Sequence, residues 1–165
     1  MILDVIDNFL PDYYFKSLSD IVLGDTFPWH YNDYTIDPED NYNWYQFSNI
    51  FYNAKSPWNG GTDTFHILSP VIQKITGGKT LERIKGNLNP KTLFHRNTGW
   101  HFDYKDMTTA ILYLNTCNGW TKFKKGGKVD CVANRVVIFN SNLEHAGITC
   151  TDQKRKVVIN FNYYV

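Results

Sequence analysis

Between residues 81 and 163 the chain is a succession of short runs rich in β-branched and aromatic residues, broken by Asn, Gly, Asp and Pro. Runs of this kind, at 81–88, 109–114, 121–123, 128–132, 135–139 and 156–163, suit half-buried strands joined by tight turns. A series of short strands with turn chemistry between them predicts a sandwich or a jelly roll. The first part of the chain differs in character. Residues 2–6 read as a short strand. Pro11 then opens a helix, because proline is tolerated in a first helical turn, and Tyr14, Phe15, Leu18, Ile21 and Val22 recur at helical spacing up to a stop at Gly24. Residues 27–58 are aromatic, polar and irregular, with a strand expected at 45–52 and a turn at Asn59-Gly60-Gly61. Ser69-Pro70 is expected to cap a second helix over 71–75 that ends at Gly77-Gly78. The expected fold is therefore mainly β with N-terminal helices, in a single domain spanning 1–165. Its helical and aromatic part covers 1–80 and its jelly-roll core 81–165.

Composition narrows the function classes. Seventeen basic against sixteen acidic residues leave a formal charge of +1, which draws the chain toward neither nucleic acid nor an anionic membrane. No apolar run has the length of a membrane span, and the first residues, Met-Ile-Leu-Asp, do not form a signal peptide. Cys117, Cys131 and Cys150 are an odd number without Cys-x-x-Cys spacing. Small buried thiols in a reducing cytoplasm are expected, not disulfides or a zinc site.

The chemistry rests on His101-Phe102-Asp103. Residues i and i+2 of an extended strand point to one face, so both side chains can reach a single ion. His145, beyond the polar turn Asn140-Ser141-Asn142, is the best third ligand. Two imidazoles and a carboxylate form the facial triad of non-haem Fe(II) oxygenases, with positions left for a 2-oxo acid and O2. Arg155, ten residues further on, shares a face with Val157, Ile159 and Phe161, while Lys156 shares the other with Val158 and Asn160. A guanidinium on an apolar, core-directed face needs an anionic partner. The distal carboxylate of 2-oxoglutarate would fit it, gripped by two parallel hydrogen bonds.

Taken together, His101-x-Asp103, Tyr113-Leu114-Asn115, Asn118-Gly119-Trp120-Thr121, His145 and Arg155 resemble the 2-oxoglutarate/Fe(II)-dependent oxygenase superfamily. The prolyl 4-hydroxylase-like branch is nearest, in the short form met in phage and marine bacterial genomes. The resemblance covers 81–163, and Asp7-Asn8-Phe9-Leu10-Pro11 looks like the family's opening. It implies a double-stranded β-helix with helices packed on one sheet. It also implies oxidative decarboxylation of 2-oxoglutarate coupled to hydroxylation of a C–H bond, with Fe(2+), O2 and ascorbate as a supporting reductant. Position by position, it makes His101, Asp103 and His145 the iron ligands and Arg155 the partner of the 2-oxoglutarate C5 carboxylate, with Tyr113 bonding the same group. The family's Gly-Gly before the Thr-x-Phe strand is Asn118-Gly119-Trp120 here, a departure in a structural turn. Halogenating relatives lack the aspartate; Asp103 favours hydroxylation.

Other features keep two readings each. His66 and His95 have no partner at ligand spacing and read as structural. The lysines around Gly126-Gly127 suit an edge hairpin protected from aggregation better than a basic substrate lip. The aromatics of 27–58 line a substrate cleft or bury the helices, and that segment is expected to wall the metal. The leading function is an oxygenase acting on a protein side chain such as proline, or on a small molecule, with nucleic acid less favoured. The alternative is a non-catalytic jelly-roll module that binds metal or carbohydrate. A cytoplasmic setting is expected, the host cytoplasm if the chain is phage-encoded.

Overall fold

The computed structural model describes residues 1–36, 44–56 and 63–165. The expected turn at Asn59-Gly60-Gly61 and residues 37–43 of the aromatic segment lie outside the described residues.

Among the described residues, ten strands and two α-helices follow in the order β1 (Ile2–Ile6), α1 (Asp12–Val22), β2 (His30–Asn32), β3 (Gln46–Asn53), α2 (Ser69–Thr76), β4 (Leu81–Pro90), β5 (Met107–Tyr113), β6 (Trp120–Phe123), β7 (Gly127–Asp130), β8 (Val136–Asn140), β9 (His145–Ile148) and β10 (Arg155–Tyr164). They form an antiparallel seven-stranded sheet in the order β1-β8-β5-β10-β4-β3-β2 and a three-stranded sheet in the order β7-β6-β9. The N-terminal part holds the strands expected at 2–6 and 45–52, as β1 and β3, and a third, β2, that the sequence did not indicate. It supplies β1 to one edge of the large sheet and β2 and β3 to the other.

Period-2 alternation gives the large sheet two faces of different chemistry. On β10, Val157, Ile159 and Phe161 are fully buried and share a core with Ile84 of β4 and Leu112 of β5. Leu18 and Val22 of α1 and Val71 and Ile75 of α2 belong to the same core. Gly86 of β4 has a packing reason: a Cβ there would meet the Phe51 and Trp29 rings at 3.1 and 3.2 Å. The opposite face of β10 carries Lys156, Val158, Asn160 and Asn162. It looks toward the small sheet, across a second apolar cluster that contains Phe123, Phe139, Tyr113 and the three cysteines.

Both helices occur, but α2 starts two residues earlier than expected, with Leu68 as its N-cap and Ser69 and Pro70 in its first turn rather than capping it. Pro11 is the N-cap of α1, with its φ of −54° suited to the entry. Gly77 closes α2 in the left-handed region, at φ 61°. The N-terminal segment is tied down by Asn134, a non-glycine residue at φ 61°. Its side chain accepts from the Leu10 amide and donates to the Leu10 carbonyl, both at 2.8 Å, and its own carbonyl accepts from Phe9 at 2.9 Å. Asn134→Ala loses two buried bonds and keeps the unfavourable backbone angle, so it is expected to cost roughly 2–4 kcal/mol in urea denaturation. Asn134→Gly relieves only the backbone part. Equal stability of the two variants would show that the angle contributes nothing.

Candidate metal centre and its cavity

His101 and His145 come from different segments that the sheet brings side by side. Their backbones form an antiparallel bridge, with each amide donating to the other's carbonyl at 3.0 Å. His145 stands at the start of β9, beyond the turn that leaves β8, and its ring is set against Phe139, with centroids 4.8 Å apart. Phe102 is 58% exposed while His101 and Asp103 turn inward, as alternation requires.

The ligand atoms of His101, Asp103 and His145 all lie within 4.8 Å of one another. Asp103 Oδ1 is 3.8 Å from His101 Nε2, and Asp103 Oδ2 is 3.9 Å from His145 Nε2. Those separations are too long for hydrogen bonds. They suit two ligands on one ion, which at about 2.1 Å each stand at most about 4.2 Å apart. Both imidazoles have their second nitrogen engaged: His101 Nδ1 faces the Gly99 carbonyl at 3.2 Å and His145 Nδ1 the Leu143 carbonyl at 3.0 Å. A backbone carbonyl selects the Nδ1–H tautomer and leaves the Nε2 lone pair for a metal. The donor set therefore fits a divalent ion.

Electrostatics favour the metal-binding protonation states of Asp103 and His145. Burial pushes the Asp103 carboxyl upward, but His145, His101, the Thr109 hydroxyl and Arg83 outweigh it and hold Asp103 below the usual carboxylate range. Burial holds the His145 imidazole below the usual histidine value, so it stays neutral. Thr109 donates to Asp103 Oδ2 at 2.7 Å, and Asn162 donates to the same oxygen at 3.2 Å. These two face each other across β5 and β10. They were not foreseen, although polar residues on alternate positions of otherwise apolar strands were the available signal.

The triad opens into a cavity of about 280 Å³ between the sheets. Thr35, Ile36 and Gln46 line it, so part of the aromatic N-terminal stretch does wall the centre. His95 lies apart from the triad, bonded through Nδ1 to the Thr149 carbonyl at 2.8 Å and packed on Trp120. His66 sits beside Phe65.

The structure corrects the placement of Arg155. The parity of β10 is as read, but Arg155 lies on the helix-packed face, outside the cavity. Its guanidinium donates to the carbonyl of Leu23, the residue that caps the C-terminus of α1. A helix C-terminus offers partial negative charge and unsatisfied carbonyls, which is partner enough for an arginine. Lys156, not Arg155, lines the cavity, as do Arg83 and Lys85 of β4. Lys156 is only 3% exposed and donates to the carbonyls of Trp120 and Ile148 at 2.6 and 3.1 Å. It has no ion pair among the described residues.

Gly119 makes room for this lysine: a Cβ there would meet the Ile148 carbonyl at 2.7 Å and Lys156 Cδ at 3.1 Å, while a Cβ on Gly147 would meet the Thr98 hydroxyl at 2.9 Å. Burial lowers the affinity of Lys156 for its proton, while Cys131, Cys117 and Cys150 oppose that shift. The cysteines are buried as expected, but they are not scattered. All three share one buried cluster behind the lysine, where the Cys131 thiol donates to the Asn115 carbonyl at 3.1 Å and the Cys150 thiol to the Gln153 carbonyl at 3.4 Å.

Tyr113 is placed differently from the expectation as well. Its hydroxyl donates to Thr121 Oγ1 at 2.7 Å, and burial drives it well above the usual tyrosine range. Thr121 lines the cavity and Tyr113 stands behind it.

No protein-family model matches the sequence, and no curated protein matches it. Solved structures do match. A 2OG-Fe(II) oxygenase family oxidoreductase from Burkholderia pseudomallei superposes with a TM-score of 0.70 at 10% identity, over 96% of this chain and 84% of that one. A prolyl hydroxylase from Trichoplax adhaerens, in complex with a hypoxia inducible factor peptide fragment, gives 0.66 at 14% identity over 98% and 82%. HygX from Streptomyces hygroscopicus, with nickel and 2-oxoglutarate bound, gives 0.62 at 11% over 97% and 81%. The chain is thus similar along nearly its whole length to these oxygenases, and it shares their fold.

Proposed function

We propose that this protein is a non-haem Fe(II)- and 2-oxoglutarate-dependent dioxygenase that hydroxylates a C–H bond. On this reading the two sheets are a double-stranded β-helix with helices on the large sheet, in one domain of 165 residues. The observation that carries it is the pairing of two features in one cavity: the His101, Asp103 and His145 cluster, and a buried lysine without an anionic partner.

His101, Asp103 and His145 would hold the ion, and Lys156, in place of Arg155, would hold the distal carboxylate of 2-oxoglutarate. An unpaired buried cation is costly, and a carboxylate arriving between Lys156 and Thr121 relieves that cost. When bound, the iron supplies activation of O2 coupled to decarboxylation of the 2-oxo acid. Thr109 and Asn162 orient Asp103, and the Gly99 and Leu143 carbonyls orient the two imidazoles. Tyr113 positions Thr121. Phe123, Phe139 and Ile111 keep water from that side of the centre. Ascorbate would serve as an auxiliary reductant.

The substrate is a protein side chain, of which proline is the family's example, or a small molecule. No helix among the described residues is long and apolar enough to cross a membrane. The three free, buried cysteines support the expectation of a reducing, cytoplasmic setting. A jelly-roll module that merely bound metal or carbohydrate would have no use for Lys156 in its interior.

The test is anaerobic titration of the Fe(II)-loaded protein with 2-oxoglutarate, followed by admission of O2. A visible charge-transfer band should appear on titration, and succinate should form after oxygen is added. A protein that takes up iron without either response would be a binding module.

A further inference from the structure

The cavity holds more positive charge than a metal and 2-oxoglutarate can use, and the excess lies on β4. Its cavity-facing positions are Arg83, Lys85, Asn87 and Asn89, alternating with Ile84, Gly86 and Leu88 on the helix-packed face. Arg83 approaches Asp103 only to 3.8 Å, and its Nε is buried without a hydrogen-bond partner among the described residues. The Tyr104 ring lies 5.0 Å from its guanidinium and keeps the fork oriented. Lys85 makes no ion pair among the described residues. Three amide atoms on the same wall, Asn87 Oδ1, Asn89 Nδ2 and Asn160 Oδ1, are likewise buried and unpartnered.

Charge accounting points to the missing partner. A divalent ion is matched by the two carboxylates of 2-oxoglutarate, and the single charge of Asp103, 3.8 Å from Arg83, offsets one of the three cations Arg83, Lys85 and Lys156. Two positive charges on the cavity wall then remain uncompensated, and charges withdrawn from water are costly when unpaired. A neutral prolyl side chain would leave both of them so.

Resting on the function proposed above, we infer that the substrate is a small polar acid whose carboxylate or phosphate is gripped by Arg83 and Lys85, with the asparagines of β4 and β10 bonding its neutral polar groups. Arginine presents a planar fork and lysine a point charge, which together suit either anion. In keeping with this, burial and then the neighbouring Arg83 push Lys85 down to about 8, a displacement that an incoming anion would reverse.

The test uses protein loaded with Mn(II) and 2-oxoglutarate, in which no turnover occurs. 4-Aminobutyrate is compared with 4-aminobutanamide, O-phosphoethanolamine with ethanolamine, and an acetylated Ala-Glu-Ala peptide serves as the macromolecular arm. The readouts are melting temperature and calorimetric affinity. At least one free acid should bind while its counterpart without the acid group does not. Lys85→Gln should weaken that acid about ten-fold or more, with 2-oxoglutarate affinity changed by less than about three-fold, and Arg83→Lys should retain part of the binding because it retains the charge. Equal binding of the acids and their counterparts, no binding of either free acid, or binding of the peptide alone would overturn the inference. So would a variant that weakens 2-oxoglutarate instead, since the pair would then serve the co-substrate. Failure of the wild type to take up Mn(II) or 2-oxoglutarate would strike the function proposed above, and is read separately in the same experiment.

Discussion

Asp103→Ala is expected to weaken Fe(II) or Mn(II) binding by roughly 100-fold or more, as are His101→Ala and His145→Ala. Each removes one of only three protein ligands, and removing even an outer-shell partner of a metal ligand costs about 10- to 100-fold. Thr109→Val supplies that smaller step, because the Thr109 hydroxyl holds Asp103 Oδ2 at 2.7 Å without touching the ion. Calorimetric titration with Mn(II), checked by its electron paramagnetic resonance signal, measures the series. Affinity should also fall as the pH is lowered, because protons compete for the imidazole nitrogens, and burial, which holds His145 below the usual histidine value, weakens that competition at His145. Full metal binding by the Asp103→Ala protein would remove the triad from the site.

Lys156→Met should raise the 2-oxoglutarate requirement by about 30- to several-thousand-fold, equivalent to about 2–5 kcal/mol for a lost buried charged contact. Methionine retains much of the volume of the stem beside Gly119, so the fold is expected to survive. Mn(II) affinity, which should stay nearly unchanged, separates loss of the co-substrate contact from loss of the fold. Arg155→Ala should act otherwise. It removes a contact to the C-terminal carbonyl of α1 and should lower stability by roughly 1–2 kcal/mol, with little change in the 2-oxoglutarate titration of the Fe(II) band. If Arg155→Ala abolished that titration while Lys156→Met left it intact, the large sheet would bind its co-substrate through the helix-packed face, and the site described here would be wrong.

Much of the centre was legible because its determinants are local. The i, i+2 spacing of His101 and Asp103 directs both side chains to one face of any extended segment, and the exposed Phe102 between them agrees. Proline at the entry of α1 and glycine at the exit of α2 act within a single turn, so those helices were readable. The strands from β4 to β10 announce themselves through β-branched and aromatic runs.

Tertiary structure decided the rest. Strand parity put Arg155 with Val157, Ile159 and Phe161 and put Lys156 on the other side, but parity does not say which side holds the site. An open sheet has one buried face, and an apolar alternation then marks the interior. This sheet is covered twice, by α1 and α2 on one face and by the small sheet on the other. Its most apolar face therefore meets the helices, and the face carrying Lys156, Asn160 and Asn162 meets the cavity. The same long-range packing gathers Cys117, Cys131 and Cys150 behind Lys156, and sets Thr109 against Asn162 beside Asp103. Sequence distance carries no record of such contacts, because they follow from which strands pair and which layer each face meets.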